Sequence, residues 1–374
     1  MAGIYIHIPF CRQACHYCNF HFSTSLGSKN DFIAALLKEI VLQKDYLAQE
    51  PVDTVYFGGG TPSLLSVAEI DVLLHALAAS FNISREAEIT LEANPDDLNT
   101  GKLQELREAG INRLSIGIQS FFEDDLRWMN RAHNARQSIA CIYDALSAGF
   151  TNLTIDLIYG TPGLTDDKWK ENVQKAIDFN IPHLSCYALT VEPKTALDHF
   201  ITTKQYLPVD ADQQARQFLL LMDWTAAAGY EHYEISNFAK PGMRSKHNTA
   251  YWLGKKYLGL GPSAHSFNGI SRQWNIANNA LYVQSLQQQQ LPFEKEELTV
   301  THQLNEYIMT SLRTIEGLSI GYVTEKFGET VAQTIFRSSG KFIQAGNMQW
   351  DGERLRLTRQ GKLLADGIAA ELFF

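Results

Sequence analysis

The sequence contains no run of about 18 apolar residues, so a membrane-spanning helix is not expected. Its longest stretch without charge, 273–293, is rich in Gln and Asn and reads as water-soluble. Positive charge is also short. The 32 Lys and Arg residues face 41 Asp and Glu, a net charge of −9, which excludes a chain-wide basic footprint for nucleic acid. The N-terminus lacks a basic segment followed by an apolar core. It runs straight into Gly3-Ile4-Tyr5-Ile6-His7-Ile8, a strand pattern. A signal peptide is therefore not expected, and the expected location is cytoplasmic. Cysteine is scarce, with five in 374 residues. An odd count without an export signal argues against a disulfide framework. Three of the five, Cys11, Cys15 and Cys18, crowd into one short segment.

At 45% apolar and 20% charged residues the chain is globular, and its length suggests two to three domains. Short β-branched runs at Ile4–Ile8, Thr54–Phe57, Glu88–Glu92, Arg113–Ile118, Leu153–Ile158 and His183–Leu189 predict strands. Helical spacing separates them, as in Phe32, Leu36, Leu37, Ile40 and Val41 and over Val67–Phe81, Gly101–Ala109, Ala135–Ala148 and Asp166–Phe179. Gly110 and Gly149 stand where left-handed helix ends are expected. Strand-helix alternation predicts an α/β fold with a parallel sheet, whose chemistry gathers beyond the carboxyl ends of the strands. Periodicity leaves open whether six such units close.

The middle is less regular, with one clear helix at Asp212–Ala228 and turns at Lys240-Pro241-Gly242 and Gly259-Leu260-Gly261-Pro262. From Thr301 the pattern is three helices, a hairpin at Asp351-Gly352 and a last helix, a small winged-helix-like domain. It holds eight Lys and Arg against eight Asp and Glu, so nucleic acid is not an expected partner. The expected domains are 1–192, a core; 193–300, a ligand-associated region; and 301–374, the winged-helix-like, mostly helical unit.

Cys11-Arg12-Gln13-Ala14-Cys15-His16-Tyr17-Cys18 follows the first strand. Thiolates at this spacing can converge on a metal centre. Zinc would want a fourth ligand, which His7, His16 or His21 could supply. A disulfide would leave one thiol over. A four-iron cube normally takes one thiolate per iron, so three thiolates would leave one iron open to a small molecule. Cys141 and Cys186 lie in apolar patterns and read as buried thiols.

Other strand ends carry polar groups. Gly58-Gly59-Gly60-Thr61-Pro62 suits close approach of backbone to a ligand, or a plain tight turn. Glu92 ends the third predicted strand, where it can accept from ribose hydroxyls or simply face solvent. Gln119 ends the fourth, and a Gln after a buried run needs partners. Arg131 can pair with a carboxylate. Asp156 interrupts an apolar strand, which is costly unless the charge is paired. His247-Asn248-Thr249-Ala250-Tyr251-Trp252 places a histidine beside aromatics, as a heme site would, or a packed turn. His265 is a second histidine that heme iron could use, although a core or turn role is the plainer reading.

The Cys-x3-Cys-x2-Cys spacing, with an aromatic before the third cysteine, resembles the radical S-adenosylmethionine (SAM) superfamily. The opening Tyr5-Ile6-His7-Ile8-Pro9-Phe10-Cys11 resembles one branch, the oxygen-independent coproporphyrinogen III oxidases and the related heme chaperones of the HemW type. The resemblance covers nearly the whole chain. It implies a partial (β/α)6 barrel with a [4Fe-4S] cluster on Cys11, Cys15 and Cys18. It implies a SAM pocket lined by Tyr5, Tyr17, Gly59, Gly60, Thr61, Glu92, Gln119, Arg131 and Asp156. Three departures favour the chaperone group: Phe20 stands where the oxidases have a fourth cysteine, the chain starts at the strand without their N-terminal extension, and His247-Asn248-x-x-Tyr251-Trp252 is similar to the chaperones' heme-associated element. The resemblance thus implies a heme chaperone with heme at His247, Asn248, Tyr251 and Trp252, delivering it to an apo-hemoprotein acceptor, with peripheral membrane contact allowed and the electron donor unidentified. The alternative it leaves is oxidative decarboxylation of coproporphyrinogen III with SAM.

Overall fold

The structure, a computed structural model, describes residues 2–374. Six strands, β1 (Ala2–Ile8), β2 (Val52–Gly59), β3 (Ile83–Ala93), β4 (Arg113–Gln119), β5 (Leu153–Tyr159) and β6 (His183–Ala188), lie side by side in chain order. Every neighbouring pair is parallel. The crossovers are α1 (Lys29–Leu42), α2 (Val67–Ser80), α3 (Thr100–Glu108), the pair α4 (Glu123–Trp128) and α5 (Ala135–Ser147), and α6 (Asp166–Asp178). The α/β fold with a large parallel sheet is therefore as expected.

Local chemistry sets the element ends. Ser66 and Glu69 form a reciprocal cap at the start of α2, and Asn134 and Gln137 do the same for α5. Gly110 and Gly149 adopt φ of 103° and 83°, the left-handed residues expected after α3 and α5. Along β1, Ile4, Ile6 and Ile8 pack with Phe32 and Leu36 of α1 in the main core. The alternate residues Gly3, Tyr5 and His7 take the opposite, concave face. β3 begins five residues earlier than the pattern suggests, because its polar start carries no apolar alternation and enters the sheet through a register shift against β2.

The sheet does not close. β1 and β6 are each extended outward by strands from the middle of the chain, giving twelve strands in one open sheet. After α7 (Ala196–Thr202) and α8 (Ala211–Ala227), β7 (Glu231–Glu234) and β8 (Asn237–Ala239) add antiparallel beyond β6. After α9 (Lys246–Trp252), β9 (Tyr257–Leu260) joins β1 in parallel. Then β10 (His265–Phe267), β11 (Ser271–Asn275) and, after α10 (Asn279–Gln287), β12 (Phe293–Glu297) continue antiparallel. These strands are short and mostly polar, which is why periodicity does not reveal them. A fully buried carboxylate ties the extension down: Glu39 of α1 accepts from Gly261 N at 2.8 Å, Asn275 Nδ2 at 2.6 Å and Tyr282 Oη at 2.5 Å.

The rest is α11 (Val300–Leu312), β13 (Leu318–Ser319), α12 (Ile320–Phe327), α13 (Glu329–Gln344), the hairpin β14 (Met348–Trp350) and β15 (Arg354–Leu357), and α14 (Ala365–Glu371). The hairpin turns at Gly352, φ 99°. Leu304, Ile308, Val323, Ile335 and Leu355 form a second hydrophobic cluster here. No helix among the described residues is long and apolar enough to cross a membrane.

Candidate cofactor site

The loop after β1 is held by backbone contacts from both sides. Gly60 N donates to Ile8 O at 2.8 Å and Thr61 N to Phe10 O at 2.7 Å, so the glycine turn after β2 lies directly against the start of the cysteine loop. A Cβ on Gly60 would stand 2.6 Å from Phe10 O, and one on Gly59 (φ 101°) 2.6 Å from the His7 ring. Neither position admits a side chain. From the other side, His16 N donates to Met129 O at 3.1 Å and Asn130 Nδ2 to Ala14 O at 2.7 Å. The segment after α4 thus clamps the loop over the carboxyl ends of the strands.

Cys11, Cys15 and Cys18 are free, partly buried thiols facing a cavity of about 420 Å³. Thr61 Oγ1 donates to Cys11 Sγ at 3.4 Å, and Arg131 Nη1 to Cys15 Sγ at 3.2 Å. Burial pushes the Cys11 thiol up to about 11, with the neighbouring cysteines adding to it and Thr61 opposing. Burial raises Cys18 too. Among the described residues no three His, Cys, Asp or Glu side chains converge at single-ion spacing. Sulfurs around a cube stand further apart than around one ion, since each meets a different iron. The donor set, three thiols with a cation and a hydroxyl directed at them, fits such a centre.

Arg131 anchors the site's polar side. Its Nη2 donates to Asn94 Oδ1 at 2.7 Å and to Gly117 O at 3.0 Å, while Nη1 also reaches Tyr17 Oη at 3.4 Å. Its buried Nε makes no hydrogen bond. Glu92 is half-buried on the cavity wall and accepts from Tyr56 Oη at 2.7 Å. Burial lifts its pKa to about 7; the Tyr56 bond pulls it down and the charge of Asp156 pushes it up. Burial likewise lifts Asp156 to about 6, against hydrogen bonds from Ser185 and Ser115. Gln119 ends β4 at φ 63°, a left-handed conformation that costs a non-glycine residue about 1 kcal/mol or more.

Of the twelve residues expected at the cluster and SAM pocket, eleven line this one cavity: Cys11, Cys15, Cys18, Tyr17, Gly59, Gly60, Thr61, Glu92, Gln119, Arg131 and Asp156. Tyr5 does not. It lies behind Gly58, where its ring edge would be 2.9 Å from an added Cβ, and its hydroxyl pairs with His7 Nδ1 at 3.2 Å. Asn94, Ser115, Gly117, Tyr187 and Glu192 also line the cavity, beyond the residues that the sequence pattern predicts. Reading β4 backward in steps of two from Gln119 would have found Gly117 and Ser115.

The four residues expected at heme stand elsewhere, on α9. His247 is 2% exposed. Its Nδ1 lies 2.8 Å from Thr54 Oγ1 and its Nε2 2.9 Å from Tyr251 Oη. Its ring stacks on Tyr56 at 4.9 Å and approaches Gly3. Glu88 fixes the start of α9 by accepting from the backbone N–H of Lys246 and His247. Asn248 N is capped by Ser245 Oγ, and Trp252 lies under the Arg313 guanidinium at 5.4 Å. None of the four lines the cavity. His265 lies on β10 beside Trp274.

The fold and the cavity define a radical SAM protein. Residues 5–176 match the Radical SAM superfamily, and residues 298–364 match the HemN C-terminal domain. A solved Escherichia coli structure, coproporphyrinogen III oxidase (HemN), superposes with a TM-score of 0.86 at 24% identity, covering 100% of this chain and 90% of that one. The Heme chaperone HemW of Bacillus subtilis (strain 168) is 34% identical over 98% of both chains. The Heme chaperone HemW of Mycobacterium tuberculosis (strain ATCC 25618 / H37Rv) is 34% identical over 99% of this chain and 94% of its own. The chain belongs to the HemW family.

Proposed function

We propose that this protein is a heme chaperone built on a radical SAM core, receiving heme and passing it to an apo-hemoprotein in the cytoplasm. The observation that carries this reading is the convergence of eleven residues, from four strands and the segments that connect them, on one cavity in a chain of the HemW family. Cys11, Cys15 and Cys18 would hold a [4Fe-4S] cluster. When bound there, such a cluster supplies one-electron reduction and an open iron.

The chain's own residues would hold SAM. Arg131, a cation on the cavity wall, suits the carboxylate of SAM. The backbone of Gly59 and Gly60 approaches without side chains, which suits the amino acid end of the ligand. Glu92 accepts from ribose hydroxyls while ionised. Gln119 and Asp156 complete the polar wall, and Tyr17 closes it beside Arg131. Tyr5 supports the pocket from behind through Gly58. Residues 1–192 form the proposed core, 193–300 the heme-associated region and 301–374 the winged-helix-like unit.

Purified and reconstituted without oxygen, the protein should carry about four irons and four sulfides per chain and lose most of both in Cys15→Ser. Hemin should produce a Soret band. Turnover of coproporphyrinogen III to protoporphyrinogen would overturn the chaperone reading in favour of the oxidase.

A further inference from the structure

Gln119 is the middle residue of a three-residue turn at the end of β4. Ser120 N donates to Ile118 O at 2.8 Å across it, and Gln119 itself has φ 63°. A turn closed over three residues with a positive φ is rare and strained, and Gln lacks the freedom of glycine there. The pairing of β4 with β5 shifts register at the same place, between Ile116 and Gln119. Strained backbone persists only where its surroundings fix it, and such strain gathers at ligand sites.

The surroundings fix this turn from both sides. Beyond it, Asn172 Oδ1 accepts from Phe121 N at 2.8 Å, and Ser120 Oγ donates to Asp125 Oδ2 at 2.7 Å. On the cavity side, the segment after α4 bonds two successive carbonyls of β4. Arg131 Nη2 donates to Gly117 O at 3.0 Å, and His133 Nε2 donates to Ile118 O at 3.1 Å. Ile118 O can only accept, so the imidazole proton sits on Nε2. The His133 ring is 3% exposed, and burial, followed by the charge of Arg131, keeps it neutral. Its Nδ1 is buried without a hydrogen bond, so as core filling it costs more than an apolar ring of similar size would. The turn decides where the Gln119 amide goes. A Cβ added to Gly117 would stand 3.0 Å from Gln119 Nε2 and 3.2 Å from Arg131 Nη2, so the amide folds back over Gly117 beside the guanidinium.

We propose that His133 is a positioning residue of the cofactor cavity: through Ile118 O it holds the strained turn that sets the Gln119 amide beside Arg131 to meet SAM. It does not line the cavity and acts only through β4. The inference rests on the SAM-pocket reading above and adds the residue that shapes one wall of that pocket.

The test is equilibrium dialysis of SAM against the anaerobically reconstituted full chain, with iron content and thermal melting as controls. His133→Phe keeps an aromatic ring and loses the donor. It should weaken SAM binding by about three- to tenfold at unchanged iron content. His133→Gln offers a side-chain N–H again and should recover part of that loss. The decisive comparison is made in a Gln119→Gly background, where glycine takes the positive φ without strain. There His133→Phe should change SAM affinity by less than about twofold, because the side chain it acts through is gone. Equal losses in the two backgrounds, or wild-type affinity in a folded His133→Phe protein, would overturn the proposal and leave the SAM pocket standing. If His133→Phe does not fold, His133→Gln carries the same comparison, and its remaining loss should vanish in the Gln119→Gly background. A wild-type protein that carries its cluster but binds no SAM would sink the SAM-pocket reading and this inference with it.

Discussion

Tyr56 donates a 2.7 Å hydrogen bond to Glu92, and the same phenol ring stacks at 4.9 Å on His247. A carboxylate on the cofactor cavity and the α9 histidine are therefore separated by one side chain. Tyr56 is 8% exposed, and burial raises its own pKa well above the usual value, so its proton stays in place to serve Glu92.

Removing that donor should unbalance Glu92. The Tyr56 bond lowers a carboxyl pKa that already stands at about 7. In Tyr56→Phe more of Glu92 is protonated at pH 7, and a protonated carboxyl accepts less well from ribose. SAM affinity at pH 7 should fall by about three- to tenfold and recover toward wild type at pH 8.5. Calorimetric titration at the two pH values measures this; an equal loss at both would show that Glu92 ionisation is not the cause.

Arg131 uses its planar fork on Asn94, Gly117 and Cys15 at once. Lys keeps the charge and loses the fork. Arg131→Lys should weaken SAM binding by about tenfold or more, roughly 1.4 kcal/mol, while the protein remains folded. Unchanged affinity in equilibrium dialysis would exclude Arg131 as the partner of the SAM carboxylate.

Gly59 is in the left-handed region and has no room for a methyl group. Gly59→Ala should cost roughly 2–4 kcal/mol by combining backbone strain with displacement of the His7 ring, which itself bonds His21 O at 2.8 Å. Urea unfolding should show a lower midpoint with an unchanged slope.

Acid should destabilise the fold before it reaches the ordinary carboxylates. Burial holds His7 at about 4 and His133, His232 and His247 at about 3, and His183 well below its usual value. The unfolded chain binds these protons near pH 6.5 and the folded chain does not, so their contribution is complete above that pH and is lost as pH falls toward 4. Glu92 and Asp156 act in the opposite sense: raised to about 7 and 6, they favour the fold at low pH and cease to do so as pH rises through those values. Burial also raises Glu39, Asp96, Glu234 and Glu306, which act in the same sense as Glu92 and Asp156 and offset much of the histidine effect. Urea midpoints should still fall between pH 7 and pH 5, by a free energy on the order of 2 kcal/mol. A stability that rises over that interval would show the carboxylates dominating.

Much of the cofactor site was legible because its signals are local. Cys11, Cys15 and Cys18 lie on one loop, Gly59 to Thr61 form one turn, and Glu92 and Gln119 each end a strand that its own apolar pattern marks. Parallel strands connected by helices bring such ends to one rim whatever else the chain does. Asn94 and Tyr187 carry no local signal, because nothing nearby in sequence distinguishes them from ordinary loop and strand residues.

The amino-acid sequence by itself determined the six strand-helix units, the thiol trio and the polar groups at the strand ends, since spacing and turn chemistry act over a few residues. Only the tertiary structure decided that the sheet stays open and grows at both edges, that Tyr5 stands behind the cavity rather than in it, and that His247 is sealed while His265 faces solvent. Each of those outcomes depends on which distant backbone edges and rings meet, as Gly3 meets His247 and β9 meets β1. No short-range pattern encodes such a meeting.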